Sequence, residues 1–206
     1  MVTFYYSTGT CSTAVHILLE EAKIPFRGVE VSWRRNLNVA ELEKVSSLGQ
    51  VPVLVDEGRT LTQTHALLEY LGDRHGLMPK PGTWERALAT RWMSFAAADL
   101  QKSYAPIFGP QRFTANESAQ AELKANGIKN VEKQLAFVDA NMGDAEYLTG
   151  SQFTAADAHL FTIAGWARLF GIQLSAYPRL YAFMKRVYAR PAVQKVLTAE
   201  NLLDYV

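Results

Sequence analysis

Cysteine is nearly absent: Cys11 stands alone in 206 residues, which excludes an internal disulfide and any site built from several thiolates. Four histidines, at 16, 65, 75 and 159, show none of the spacings that metal ligands adopt, so no metal is expected. Charge of one sign is missing too. Twenty-one Lys and Arg against 20 Asp and Glu leave +1, too weak a field to gather phosphate backbones or anionic lipid, which argues against nucleic acid and membrane partners. No apolar run approaches a bilayer span, and the opening MVTFYYSTGT lacks the basic-then-apolar order of a secretion signal, so a cytoplasmic protein is expected. What is present is ordinary apolar content, 49% of the chain, enough for one large domain or two small ones sharing an interface.

The first third alternates between strand and helix signals. VTFYY at 2–6 is aromatic and β-prone, and STGTCST after it holds turn and N-cap residue types. Val15, Leu18, Leu19 and Ala22 fall on one helical face, while Val29, Val31 and Trp33 alternate with Glu30 and Ser32 as a second strand would. A weak helical pattern covers Val39 to Val45. Val51-Pro-Val-Leu-Val and Arg59-Thr-Leu-Thr flank a hairpin turn at Asp56-Glu-Gly58, and Ala66, Leu67, Tyr70 and Leu71 mark another helix. The order β-α-β-α-β-β-α ends at GLMPKPGT, whose prolines and glycines cannot continue a helix. The expected division is a domain at 1–78, a linker at 79–83 and an all-α domain at 84–206. In that second part Leu88, Trp92, Phe95 and Leu100, then Leu123, Val131, Leu135 and Val138, then Leu160 to Leu169, then Leu180, Phe183 and Val187 carry helical periodicity. Gly143 and Gly171 stand where helices end, and Pro178 and Pro191 where they begin.

Four motifs bear on chemistry. Cys11 lies at the junction of the first strand and first helix, where helix N-terminal amides are expected to bring a thiol from about 8.5 toward about 7 or lower; the competing reading is a small core hydrophobe. Val51-Pro52 precedes a strand, and either an ordinary trans turn or a cis bond fits; the cis form would leave the Val51 amide and carbonyl free to pair with an extended peptide. In Thr62-Gln63-Thr64-His65, Thr64 can cap the following helix or help receive a carboxylate, and Gln63 can offer a carbonyl to an ammonium. Phe153-Thr154-Ala-Ala-Asp157 fits a structural capping box. His159 on the same helix, like His16 and His75, is expected to be a satisfied packing residue.

Cys11-Ser12, Val51-Pro52, Thr62-Gln63-Thr64 and then an all-α half carrying Thr154-Ala-Ala-Asp157 form an ordered set that resembles a cytosolic glutathione S-transferase, most like the bacterial beta class. FYYSTGTCSTAVHILLEEAKIPF, SLGQVPVL, ADLQKSYAPIF and GSQFTAADAHLF carry the resemblance over nearly the whole chain. It implies a thioredoxin-like glutathione-binding domain, a helical-bundle domain that lines an electrophile pocket, a homodimer, and a cis Pro52. Cys11 would face the glutathione sulfur, Val51 would pair with the cysteinyl backbone, and Gln63 and Thr64 would hold the γ-glutamyl end. Ser12, Asn36, Pro52, Ser94, Asp99, Gln101 and Lys102 complete the implied glutathione contacts, with Cys11 and Gln101 the implied catalytic pair. Three positions depart from the family pattern. Asn36, after Arg34 and Arg35, stands where a lysine is usual, Gln101 where histidine is usual, and Gln63 where glutamate is frequent. Each substitution removes an ionisable group and keeps hydrogen bonding.

The implied activity is conjugation of the glutathione thiolate to small apolar electrophiles, with glutathione as co-substrate and no metal. Two alternatives stand beside it: glutathione-dependent thiol-disulfide exchange through Cys11, which has no second cysteine in Cys11-Ser-Thr-Ala14, and a low-turnover binding protein, favoured by Gln101. Trp92, Phe108, Phe113 and Trp166 are candidate walls of the electrophile pocket. Should Cys11 prove a core filler, Ser12, Tyr5 or Tyr6 would face the ligand sulfur.

Overall fold

The computed structural model describes residues 1–202, 204 and 205. Four strands, β1 (Val2–Tyr6), β2 (Phe26–Glu30), β3 (Val53–Asp56) and β4 (Arg59–Thr62), form one sheet in the order β2-β1-β3-β4. β1 runs parallel to β2 and antiparallel to β3, and β3 pairs antiparallel with β4. Alternation along β1 sends Phe4 into the main core and Tyr5 into a smaller cluster with Val29, Val31, Leu42 and Val53 on the opposite face. Helices α1 (Ser12–Glu21) and α3 (Thr64–His75) cover the first face, and α2 (Val39–Val45) covers the second through Leu42.

The second strand lies further toward the N-terminus than its alternation suggested. β2 pairs residue for residue with β1, Val2 to Phe26 through Tyr6 to Glu30, and ends where β1 ends. The Val31 amide still reaches the Tyr6 carbonyl at 2.7 Å, after which the chain turns back, with Ser32 bridging Leu37. The Val29 and Val31 pattern therefore records burial under α2, while Trp33 stands half exposed on the turn. α1 also differs from a one-faced helix. Every residue from Ser12 to Leu19 is buried, because the sheet side is matched by later helices packed on its other side.

α3 stops at Gly76, whose φ of 70° suits glycine at a helix end, and α4 (Trp84–Phe95) opens with the Thr83 hydroxyl accepting from the Arg86 amide at 3.2 Å. Arg86 ties the two helices together: its guanidinium donates to Glu69 at 2.6 Å and to Asp73 at 2.9 Å. α4 passes into a π turn, Ala96–Leu100, then the single turns α5 (Gln101–Ser103) and α6 (Ala105–Phe108). The five-residue step from Phe95 to Leu100 in the apolar pattern is the spacing of that π turn. The long α7 (Glu117–Asn141) is followed by α8 (Ala155–Gly165), all eleven residues of which are buried, and by α9 (Pro178–Tyr188) and α10 (Pro191–Ala199). Asp157 begins α8 as the capping box requires: its carboxylate accepts from the Thr154 amide at 2.7 Å, the Thr154 hydroxyl at 2.8 Å and the Leu148 amide at 2.9 Å. His159 does not meet its expectation of satisfaction, since neither ring nitrogen has a hydrogen-bond partner.

Candidate active site

The loop between β1 and α1 folds on its own hydroxyls. The Ser12 hydroxyl donates to the Ser7 carbonyl at 3.0 Å and accepts from the Ser7 amide at 3.1 Å, and the Thr10 hydroxyl donates to the same carbonyl at 2.8 Å. That loop presents Cys11 at the N-cap of α1, with its Sγ 4.0 Å from the Val51 carbonyl oxygen, toward which the thiol donates. Val51-Pro52 is cis, and Val51 lies outside the paired residues of β3. Across the same space, Gln63 caps α3 with φ 74° and ψ 117°, a conformation that costs a non-glycine residue about 1–3 kcal/mol and that gathers at functional sites. Thr64 follows it, buried in the first turn.

These residues line one groove of about 360 Å³. Cys11, Val51, Pro52, Thr62, Gln63, Thr64 and His65 form one wall, Ala97, Gln101, Lys102 and Ala105 the facing wall, and Leu48 and Gln50 complete it. Ala97, Gln101 and Ala105 recur every four residues, so a single stripe of the π turn and the helices after it faces Cys11.

Four expected contacts lie elsewhere. Ser12 is fully buried and its hydroxyl is consumed by the loop. Asn36 is exposed, in the turn after β2, at φ 50°. Ser94 and Asp99 are exposed and absent from the groove lining, Asp99 because it is two residues off the Ala97-Gln101-Ala105 stripe and Ser94 because it precedes that stripe. Arg35 forms an ion pair with Glu30, so it is not a spare cation for a ligand carboxylate; Lys102, exposed on the groove wall, is better placed. Tyr5 and Tyr6 are also engaged: the Tyr5 hydroxyl donates to Glu41 at 3.1 Å, and the Tyr6 ring stacks on Phe4 at 5.5 Å. Leu48, Gln50, Ala97 and Ala105 join the groove although no expected contact fell on them, and Thr62 and His65 join it as the flanks of Gln63-Thr64.

The thiol corrects the expectation of an activated cysteine. Burial pushes Cys11 above its ordinary pKa, and hydrogen bonding with Thr64, Gln101 and its own backbone amide offsets this only in part. The helix N-terminus contributes little because its amides are already taken. Ser12 N–H faces the Thr10 hydroxyl, Thr13 N–H the Thr10 carbonyl, and Ala14 N–H the Cys11 carbonyl. Cys11 is thus a neutral thiol at neutral pH. Burial likewise lowers His65, which is uncharged there.

Next to Ala105, Tyr104 begins an aromatic cluster. Its ring lies 5.6 Å from Trp166 and 5.8 Å from Phe170, and Phe108 lies 5.5 Å and 5.0 Å from the same two rings. Tyr104 is fully buried and Trp166 7% exposed, and none of the four rings lines the groove, so of these only Phe108, 53% exposed, opens broadly to solvent. Trp92 does not: it is 1% exposed and packed edge-on to Phe95 in the core. Phe113 is exposed and outside the cluster. Among the described residues no group of three His, Cys, Asp or Glu could hold a metal ion, and no helix is long and apolar enough to cross a membrane.

Comparison with known proteins agrees with this geometry. Residues 8–74 match the glutathione S-transferase N-terminal domain and residues 95–191 the glutathione S-transferase C-terminal domain. The chain is 33% identical over 204 residues to glutathione S-transferase GstA of Escherichia coli O157:H7, covering 96% of this chain and 98% of that one. A beta-class glutathione S-transferase of Sphingomonas chungbukensis superposes with a TM-score of 0.82 at 33% identity, over 97% of this chain and 99% of that one. A glutathione transferase homologue from Sulfitobacter, solved with bound glutathione, gives 0.88 at 28% identity over 97% and 98%. With both domain models matched and relatives aligned over nearly its full length, the chain belongs to the glutathione S-transferase family.

Proposed function

We propose that the groove binds glutathione in an extended form and that the protein transfers its thiolate to small apolar electrophiles. The observation that carries this reading is the convergence of Cys11, Val51, Gln63 and Thr64 on one groove. The Gln63 side chain and the first-turn amides at Thr64 hold the γ-glutamyl ammonium and carboxylate. The Val51 backbone pairs with the cysteinyl residue as an added strand would, and Lys102 approaches the glycyl carboxylate.

The neutral state of Cys11 fits this division of labour. A thiolate there would repel a glutathione thiolate, whereas a protonated thiol donates to it, as does the Gln101 amide. The ligand sulfur is then the nucleophile. It forms a carbon-sulfur bond with the electrophile, and the leaving group departs with its electron pair. The exposed Phe108 ring, packed against Phe170, supplies the apolar surface that receives the electrophile. We assign residues 1–78 to glutathione, 79–83 to the linker and 84–206 to the electrophile, in a cytoplasmic homodimer.

Steady-state rates with glutathione and an aromatic halide, set beside retention on immobilised glutathione, test the reading. Saturable turnover together with retention is expected. Retention without turnover would instead make the protein a binder, and loss of both would remove glutathione from the groove.

A further inference from the structure

We propose that Ser103, oriented by Asn130, is a positioning residue for Gln101 on the groove wall that faces Cys11. Ser103 does not line the groove. It is 5% exposed, and its hydroxyl donates to the Asp99 carbonyl at 2.7 Å, four residues back along the chain. A carbonyl can only accept, so the single hydroxyl proton is committed to Asp99, and the bond from Asn130 Nδ2 at 3.0 Å falls on the hydroxyl's lone pairs. Asn130 is exposed, and among the described residues its side chain bonds Ser103 alone.

A hydroxyl bonded to the carbonyl four residues back bends a helix. Here the bond spans the passage from the π turn into α5, and Gln101 is the middle residue of the segment it encloses. The bend therefore sets the direction in which Gln101 leaves the backbone. Gln101 lines the groove and hydrogen-bonds the Cys11 thiol, and a small rotation of α5 would carry its amide out of reach.

The wall has two opposed stripes. Ala97, Gln101 and Ala105 face the groove, while Ser103 and Ile107, each two residues beyond a groove residue, are buried against α7. α7 meets that second stripe at two points. Asn130 bonds Ser103, and one turn earlier Gly127 lies against Ile107, so closely that a Cβ there would stand 2.7 Å from Ile107 Cγ1. Position 127 meets 107 and position 130 meets 103, an antiparallel register held at both ends. Gly127 sets how near the wall lies to α7, and the Asn130 and Ser103 pair sets how it is turned.

The test uses Ser103→Ala, Ser103→Thr and Asn130→Asp in the full chain, each alone and together with Gln101→Leu. The readouts are the pH profile of Cys11 alkylation by iodoacetamide and the kcat and KM for glutathione with an aromatic halide. Displacing Gln101 removes a hydrogen bond that favours the thiolate, so in Ser103→Ala the midpoint of the profile should rise by about half a pH unit or more. A wall that had merely loosened would admit water and bring the midpoint down toward the ordinary thiol value. His65 and Lys102, the other titratable side chains lining the groove, are kept in every variant. The kcat should fall about fivefold. KM for glutathione should stay within about threefold, because Val51, Gln63 and Thr64 hold the ligand and the flexible Lys102 stem absorbs a small shift. Ser103→Thr keeps the hydroxyl and should stay within about twofold of wild type in kcat. Asn130→Asp offers an acceptor that draws the Ser103 proton away from Asp99, so it should move the profile as Ser103→Ala does, and at an exposed position it carries the test if Ser103→Ala fails to fold. With Gln101→Leu already in place, neither change should move the profile further. An unchanged or lowered midpoint in folded Ser103→Ala, a threonine variant displaced as far as the alanine variant, or an effect undiminished without Gln101 overturns the proposal. The turnover readout rests on the role proposed for Gln101 as a donor to the ligand sulfur, whereas the alkylation profile needs no glutathione. Absent turnover in the wild type would sink that role and leave the profile to judge Ser103.

Discussion

The Cys11 Sγ faces the carbonyl oxygen of Val51 at 4.0 Å on one wall of the groove, which puts the thiol beside the backbone proposed to hold the ligand and leaves it no part in holding the ligand's ends. Cys11→Ala should therefore alter chemistry more than binding. The expected outcome is a KM for glutathione within about threefold of wild type and a kcat changed by about tenfold or more. A raised KM with unchanged kcat would assign Cys11 to binding.

Because burial holds the Cys11 thiol above its ordinary pKa, its thiolate forms only at alkaline pH. The alkylation rate with iodoacetamide should keep rising through about pH 9, where a helix-activated thiol would level off below about pH 8. The stability effect has a matching sign. The folded chain keeps a proton that the unfolded chain releases, so stability falls as pH rises past the ordinary thiol value. Cys11→Ala should lack that alkaline loss, and a melting curve with the same pH dependence as wild type would contradict the assignment.

Cys11 is the only cysteine, so treatment with glutathione disulfide can add one glutathionyl group at most by disulfide exchange. Intact mass spectrometry at mildly alkaline pH should show that single addition, reversed by reductant. No addition to folded protein would mean that the groove does not bring a glutathione sulfur to Cys11.

Asp157 is fully buried beneath three donors. Asp157→Ala leaves the Leu148 and Thr154 amides unpaired and should cost about 1–3 kcal/mol, measured as a lower denaturation midpoint, with KM for glutathione unchanged in the folded variant. Burial also raises this carboxyl from 3.8 to about 6. Between those values the folded state holds a proton the unfolded state has lost, so its contribution to stability declines as pH rises through that window. The variant should lose that dependence.

His159 pulls the other way. Burial lowers it from 6.5 to about 3 and neither nitrogen is paired, so the unfolded chain takes up a proton below pH 6.5 that the folded chain refuses, and stability is lost as pH falls. His159→Leu removes the unpaired nitrogens from an apolar surround and should raise the melting temperature, by more at about pH 5 than at about pH 7. A lower melting temperature at both would show that the ring has a partner that stabilises it.

Much of this molecule was legible locally. The Thr154-Asp157 capping signal sits at a helix start, where a few adjacent residues decide the backbone, and the helix and strand order followed from apolar periodicity; the cis Pro52 was one of two local readings and was singled out by the family resemblance. What was not legible depends on distant neighbours. Trp33 looked like a strand residue because Val29 and Val31 are buried under α2, and the end of β2 is set by the length of β1. The thiol looked activated because the loop's hydroxyls and carbonyls, which consume the helix amides, become visible only in three dimensions. Trp92 and Phe108 are alike in sequence as aromatic helix residues, yet one lies in the core and the other, 53% exposed, joins Tyr104 and Phe170. Ser12 resembles a ligand contact by position and is spent on the loop.

A crystal structure of the protein with glutathione tests the central claim most directly. The account predicts the γ-glutamyl end on Gln63 and Thr64, the cysteinyl backbone paired with Val51, and the ligand sulfur in van der Waals contact with Cys11 Sγ. Glutathione bound outside this groove, or seated in it with its sulfur turned away from Cys11, would contradict the account.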